Sequence, residues 1–340
     1  MALHFSPDEF DRRKGALLAA IAQARLDGLL LFQQESMYWA TGYDTFGFCF
    51  FQCLVVATDG RMALLTRSAD LRQARHTSII ADVRIWKDAA DANPALDLKE
   101  LCAELGLAGK RLGVEFESYG LVASNGRKLE AAFDGFAPLT DASHLVTRLR
   151  AVKSAEEIAH VRRPGYARAR RRRGRHPRRP ARRDLPRRRR LSGQRVHHRL
   201  GRRRAALPLQ GRAAHARDAR PDHARIRRRL PALPRGNHAH GAGRRPEAPH
   251  LAYHRAAREA LLACEAELRP GRTAGDVYAA HARVLDERGL GAHRLNACGY
   301  SLGAKFTPSW MDWPMFYEAN PWQIAPGTVS YTHLTLPTKA

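Results

Sequence analysis

The sequence predicts an α/β fold for its first half, on three observations. A capped amphipathic helix opens the chain, a short apolar run follows that suits a buried strand, and an Asp-Gly turn joins two β-prone segments before helix and strand signals alternate again.

Ser6-Pro7-Asp8-Glu9 is the helix start. Ser6 can cap, Pro7 suits the first turn, and Glu9 falls where a capping box needs its carboxylate. The helix is predicted to run to about Arg25, with Phe10, Leu17, Leu18 and Ile21 on its apolar face. Leu29 to Phe32, after Gly28, reads as a short buried strand. Cys53–Ala57 and Met62–Thr66 flank Thr58-Asp59-Gly60-Arg61 and predict a hairpin, because Asp-Gly supplies the positive φ of a tight turn. Further strands are predicted at Val83–Trp86 and Leu112–Glu115, and helices near Pro94–Leu105 and Leu121–Phe133.

The formal net charge of +25 over 340 residues suggests a nucleic-acid-binding protein until its position is examined. Residues 163–245 hold 30 Arg, no Lys and three acids, Asp184, Asp218 and Asp222; the rest of the chain carries 28 basic and 30 acidic residues, an ordinary balance for a soluble enzyme. No run approaches the roughly 18 apolar residues of a membrane span. Asp8, Glu9 and Asp11 stand where a signal peptide would be basic and then apolar, so a cytoplasmic location without membrane partners is expected. The five cysteines, Cys49, Cys53, Cys102, Cys264 and Cys298, are scattered and odd in number, which predicts reduced core thiols rather than disulfides or a zinc site.

Four segments carry a family resemblance: Gly28-Leu29-Leu30-Leu31, the stretch Met37-Tyr38-Trp39-Ala40-Thr41-Gly42-Tyr43, the Asp59-Gly60 hairpin, and Leu149-Arg150-Ala151-Val152-Lys153-Ser154-Ala155-Glu156-Glu157-Ile158. Together they resemble the amino-terminal domain of the creatinase and prolidase family and its linker into a pita-bread catalytic domain. The last run is also a capped helix start, Ser154 with Glu157. The resemblance implies an α/β, ribonuclease H-like creatinase-type domain over residues 1–150, a linker helix start at 151–162, and an incomplete α+β pita-bread domain over 246–329. It also implies a homodimer, in which residues 43–50, including Tyr43, reach the partner's substrate pocket.

The arginine block at 163–245 is expected to be disordered and to be frameshifted translation. Phosphate neutralisation works with either cation, so the absence of Lys calls for another cause. Consecutive CGN codons become Gly, Ala, Val or Asp codons one nucleotide away, and reading Leu191–Arg204, Ala205–Arg212 and Ala224–Gly241 in that frame permits strings similar to catalytic-domain segments of the same family, in the family's order. The competing reading is a genuine Arg-rich segment that binds nucleic acid. Against it stands the single aromatic residue of the block, Tyr166, which leaves nothing to stack bases. As written, the block would bind nucleic acid only nonspecifically.

Beyond the block, His250–Leu268 has helical spacing and Pro270-Gly271 ends it. Thr273 with Asp276 opens a second helix to about Arg288, stopped by Gly289. A strand is predicted at Asn296–Gly303. This pattern again resembles the pita-bread domain, and in its metal-dependent members a His in this strand ligates one of two metal ions. Here that place is Tyr300, the later substrate-facing His is replaced near Thr307, and the out-of-frame strings put Glu and Ala at the two metal Asp positions. A phenol is a poor substitute for imidazole in such a site. The resemblance therefore points to the metal-independent branch, similar to ectoine hydrolase or creatinase, with no metal and no cofactor. It implies hydrolysis of a C–N bond in a small nitrogenous compound: carboxylates orient the substrate, a base activates water, an acid protonates the leaving nitrogen. Tyr300 has two open roles, a donor to substrate or oxyanion and a core aromatic with a satisfied hydroxyl.

Trp310, Trp313, Phe316, Tyr317 and Trp322 form an aromatic-rich loop able to wall a small cationic or zwitterionic ligand, although packing explains most of them. The candidate pocket residues are Thr307, Trp310 and Tyr43; Asp312 is not assigned a catalytic role. Residues 330–340 are expected to be a non-native tail, and the family's final strands with their two Glu positions are expected to be missing, which predicts an inactive chain whose carboxy-terminal half is disordered or aggregation-prone while residues 1 to about 150 fold alone. The alternatives are a metal-dependent Xaa-Pro dipeptidase or aminopeptidase and, in another class, an Arg-rich nucleic-acid-binding protein.

Overall fold

The computed structural model describes residues 3–162, 222–230, 233–241, 248–306, 309 and 311–332. Helix α1 spans Pro7–Gln23, and Ser6 Oγ accepts the Glu9 amide at 3.2 Å as its cap. The reciprocal half of the expected capping box does not form. Glu9 turns to Arg12 and Arg13, and Glu156, distant in sequence, accepts the Ser6 amide at 3.1 Å instead. A buried cation thus outcompetes a local cap.

Strand β1 (Gly28–Leu31) is the hub of a six-stranded sheet with β2 (Cys53–Ala57), β3 (Met62–Arg67), β4 (Asp82–Trp86), β5 (Leu112–Val114) and β6 (Leu139–Asp141), in the order β4-β3-β2-β1-β5-β6. β1 pairs antiparallel with β2 and parallel with β5. The predicted hairpin is present, with Gly60 at φ +85° in its turn. Side chains along the central strands alternate between two cores. Leu30, Cys53, Val55 and Leu65 face α4 (Pro94–Glu104) and α5 (Ala123–Phe133). Leu29, Leu31, Leu54 and Leu64 face α1, α2 (Gln34–Thr41), α3 (Leu71–Thr77) and α6 (Leu145–Ala151). A sheet covered on both faces explains why β1 and β2 are apolar at every position.

The linker helix α7 (Ala155–Arg162) starts with the predicted reciprocal cap: Ser154 N donates to Glu157 at 2.9 Å, and Glu157 N to Ser154 Oγ at 3.2 Å. It is fastened to α1. Arg13, fully buried, pairs with Glu9 at 2.7 Å and Glu157 at 3.2 Å, with its guanidinium 4.0 Å from the Phe5 ring centroid.

Most of the arginine block, and with it the expectation of disorder, lies outside the described residues. Within it, β7 (Asp222–Leu230) and β8 (Leu233–Gly241) form a two-stranded sheet, so the expected disorder does not extend to these eighteen positions.

The carboxy-terminal part also departs from expected disorder. Helices α8 (Ala248–Glu267) and α9 (Ala274–Glu287) pack on a three-stranded antiparallel sheet, β10-β9-β11, made of β9 (Ala297–Ser301), β10 (Asp312–Tyr317) and β11 (Ser330–Thr332). Cys264, Val277, Cys298 and Phe316 form its small core, which supplies the burial that holds these elements. The Thr273–Asp276 capping box is complete, and Gly289 takes φ +67° after the helix. The first three residues of the expected non-native tail pair with β9, because ladder bonds come from the backbone and ask little of side-chain identity. The supposed aromatic loop is partly strand β10, and Phe316 points into the core. All five cysteines are free thiols, four of them buried. Among the described residues no helix is long and apolar enough to cross a membrane.

Candidate functional site

Three segments leave the sheet at the carboxyl ends of parallel strands and meet around one cleft: Gln33–Glu35 after β1, Glu117–Tyr119 after β5, and His144 after β6. Clefts outside the carboxyl ends of the strands of an open α/β sheet are where ligands commonly bind. Arg150 of α6 and residues of the β9–β10 connection complete a cavity of about 520 Å³.

The turn out of β1 is held by Glu115. Its carboxyl group is fully buried and accepts the Phe32 amide at 3.0 Å, the Gln33 amide at 2.8 Å and the Ser36 hydroxyl at 2.5 Å. Gln33, the N-cap of α2, makes no side-chain cap, so a carboxyl group from the neighbouring strand serves this helix start. Burial pushes the Glu115 carboxyl up to about 8, against the pull of these donors and of Arg150.

Two ion pairs form the cleft floor. Glu35 accepts Lys305 Nζ at 2.9 Å and the Phe306 amide at 3.2 Å. Burial alone would raise its carboxyl, but Lys305 and Arg150 hold it below the usual carboxylate range. Arg150 donates to Asp312 at 2.8 Å and to the Ala304 carbonyl at 2.7 Å. Next to them, buried Lys153 donates to Ser301 Oγ at 2.8 Å and to the Ala151 carbonyl at 3.1 Å; burial pushes its ammonium down to about 8, opposed by nearby Asp312. Phe48, Tyr119 and Trp313 add aromatic surface to the cleft wall.

The residues singled out from sequence do not gather here. Tyr300 is buried in β9 with its ring 5.5 Å from that of Tyr331, and it is not among the residues lining the cleft. Tyr43 is buried, and its hydroxyl donates to Gln52 at 3.0 Å and lies 3.1 Å from Thr66 Oγ1, so within this chain it braces the fold rather than lining the cleft. Thr307 and Trp310 lie outside the described residues. Glu35, Glu115, Arg150, Lys153, Lys305 and Asp312 were missed or left without a role. Arg150 and Lys153 were visible only as part of the linker run, three positions apart, and no local signal marks the partners that burial gives them.

The fold invites a test for metal. Among the described residues no three His, Cys, Asp or Glu side chains come together as a metal site would require, and the carboxylates at the cleft floor are committed to Lys305 and Arg150. These residues do not fit a metal pair.

Residues 13–152 match the creatinase/prolidase N-terminal domain, and residues 240–333 match metallopeptidase family M24. The chain is 28% identical over 170 residues to the uncharacterized hydrolase/peptidase y4tM of Sinorhizobium fredii, covering 48% of this chain and 43% of that protein. It is 25% identical over 169 residues to the ectoine hydrolase of Halomonas elongata, covering 48% and 42%. These matches span under half the length of the curated relatives. In fold, the chain resembles a prolidase from Thermococcus sibiricus at TM-score 0.69 and 14% identity, over 96% of this chain and 89% of that one. It likewise resembles dipeptidase PepE from Mycobacterium ulcerans at TM-score 0.67 and 18% identity, over 96% and 88%. With a creatinase-type α/β domain followed by part of a pita-bread domain, the chain belongs to the creatinase/prolidase family.

Proposed function

We propose that the protein is a hydrolase of this family that opens a C–N bond of a small nitrogenous compound, ectoine-like or creatine-like, by side-chain chemistry without a metal pair, and that the chain in its present form is inactive. The observation that carries the reading is Tyr300, which stands on β9 where the family resemblance places a metal-binding His. The match to an ectoine hydrolase supports the same branch. Tyr300 and Tyr43, with Thr307 and Trp310, are the residues this reading assigns to the site or, through a homodimer, to its neighbour's site. The reading also takes residues 163–245 as out-of-frame translation, which accounts for the inactivity.

The test compares the 340-residue chain with a version in which that frame is restored and which is extended by the final strands of the family's pita-bread domain. Ectoine, creatine and an Xaa-Pro dipeptide are offered to both, and products are followed by NMR. Turnover of ectoine or creatine by the restored chain alone, unchanged by a chelator, is the expected outcome. Chelator-sensitive cleavage of the dipeptide would instead favour an Xaa-Pro dipeptidase, the activity named for several structures of the same fold. Sedimentation of the restored chain checks the homodimer.

A further inference from the structure

The Glu35–Lys305 pair is buried, charge-balanced and open to the cleft on one side. Glu35 and Asp312 supply two negative charges to the floor, and Lys305 and Arg150 two positive ones. A ligand with a single charge that pairs at the floor takes one of these groups from its partner and leaves the other charge buried and unpaired, which is strongly unfavourable. A ligand carrying both charges leaves nothing unpaired.

The two pairs differ in how readily they exchange. Arg150 is clamped by acceptors on two residues, Asp312 and Ala304, and is 4% exposed. Lys305 reaches Glu35 on a flexible stem and is 15% exposed, so it is the cation that can swing to a ligand. Phe48, Tyr119 and Trp313 line the cleft with aromatic surface of the kind that attracts a quaternary or delocalised cation, and Glu117 adds an exposed carboxylate to the same lining.

We propose that this cleft selects small zwitterions of zero net charge, the ligand carboxylate taking Lys305 and the ligand cation taking Glu35 as that pair opens. The exchange turns one ion pair into two and leaves net charge unchanged. It rests on the reading of a small nitrogenous substrate and names that substrate's charge pattern and the two residues that read it.

Calorimetric titration of the full 340-residue chain tests this with two zwitterions, trimethylglycine and creatine, and two singly charged analogues of trimethylglycine, 3,3-dimethylbutanoate and choline, at matched ionic strength. At least one zwitterion is expected to bind at least about ten-fold more tightly than either singly charged probe. Lys305→Met should shift the preference to choline, and Glu35→Gln to dimethylbutanoate. If a single variant fails to fold by circular dichroism, the Lys305→Met, Glu35→Gln double variant must lose the preference for zwitterions over the singly charged probes. Equal or tighter binding of a singly charged probe by the unmodified chain, absence of binding by both zwitterions, or zwitterion selectivity surviving in the double variant would overturn the proposal. Binding is read without turnover, so the two readings fail separately. Zwitterion selectivity with no hydrolysis by the restored chain removes only the hydrolase; hydrolysis without charge selectivity removes only this inference.

Discussion

Arg150 and Asp312 stand 162 positions apart in sequence and meet at 2.8 Å, each about 4% exposed, so that the last turn of α6 is tied to the first residue of β10 by a buried ion pair. Removing either partner leaves the other charge buried without compensation. Arg150→Met or Asp312→Leu alone should destabilise the chain by about 3–5 kcal/mol in urea unfolding, and the double replacement should recover most of that loss. Single losses under about 1 kcal/mol would place the pair among weak, surface-like contacts.

Stability should fall as pH rises from about 4.5 to about 8. Glu115 has its pKa raised to about 8 from an ordinary 4.5, so between those values the folded state holds a proton that the unfolded chain has lost, and stability falls as pH rises through that window. Lys153 has its pKa lowered to about 8 from 10.5, so the unfolded chain binds the extra proton between 8 and 10.5 and Lys153 adds stability across that range, against the buried Cys53 and Cys102 thiols, whose raised pKa values take stability away above pH 9. Glu115→Gln should flatten the acid limb and Lys153→Met the alkaline limb of the unfolding profile. Glu115→Gln or Lys153→Met leaving its limb of the profile unchanged would contradict that assignment.

Tyr43→Phe tests whether Tyr43 braces its own fold or serves a pocket. Its hydroxyl is buried against Gln52 and Thr66, so its loss should cost about 1–3 kcal/mol and leave probe binding in the cleft unchanged. A change in binding with unchanged stability would assign Tyr43 to a pocket.

The amino-terminal folding unit should extend beyond residue 150. A fragment ending at residue 150 loses Glu156 and Glu157, which hold Ser6 and Arg13, whereas one ending at residue 162 keeps them. The longer fragment should melt at a higher temperature. Coincident melting curves would show that α7 adds nothing to the unit.

Much of the local structure was legible in the sequence because each signal lies within a short window. Ser154 with Glu157 and Thr273 with Asp276 form their reciprocal caps where the spacing predicts them, and Gly60 turns the hairpin. Ser6 with Glu9 shows the limit of such a window: the same spacing yields half a cap, since fully buried Arg13 takes the Glu9 carboxylate.

By itself, the sequence determined α1, the buried strand β1, the β2–β3 hairpin, β4, α4, β5, α5, the capped starts of α7 and α9, and the family, through backbone hydrogen bonds and periodicities that span a few residues; α2, α3, β6, α6, β10 and β11 came only with the structure. Only the tertiary structure decided the cleft. Glu35 meets the Phe306 amide 271 positions away, and Glu115 becomes a raised carboxyl because the sheet excludes water from it. Asp312 is an unremarkable carboxylate until α6 brings Arg150 to it. Charge pairing and desolvation depend on which distant residues share a low-dielectric space, and no local pattern in the chain encodes that neighbourhood.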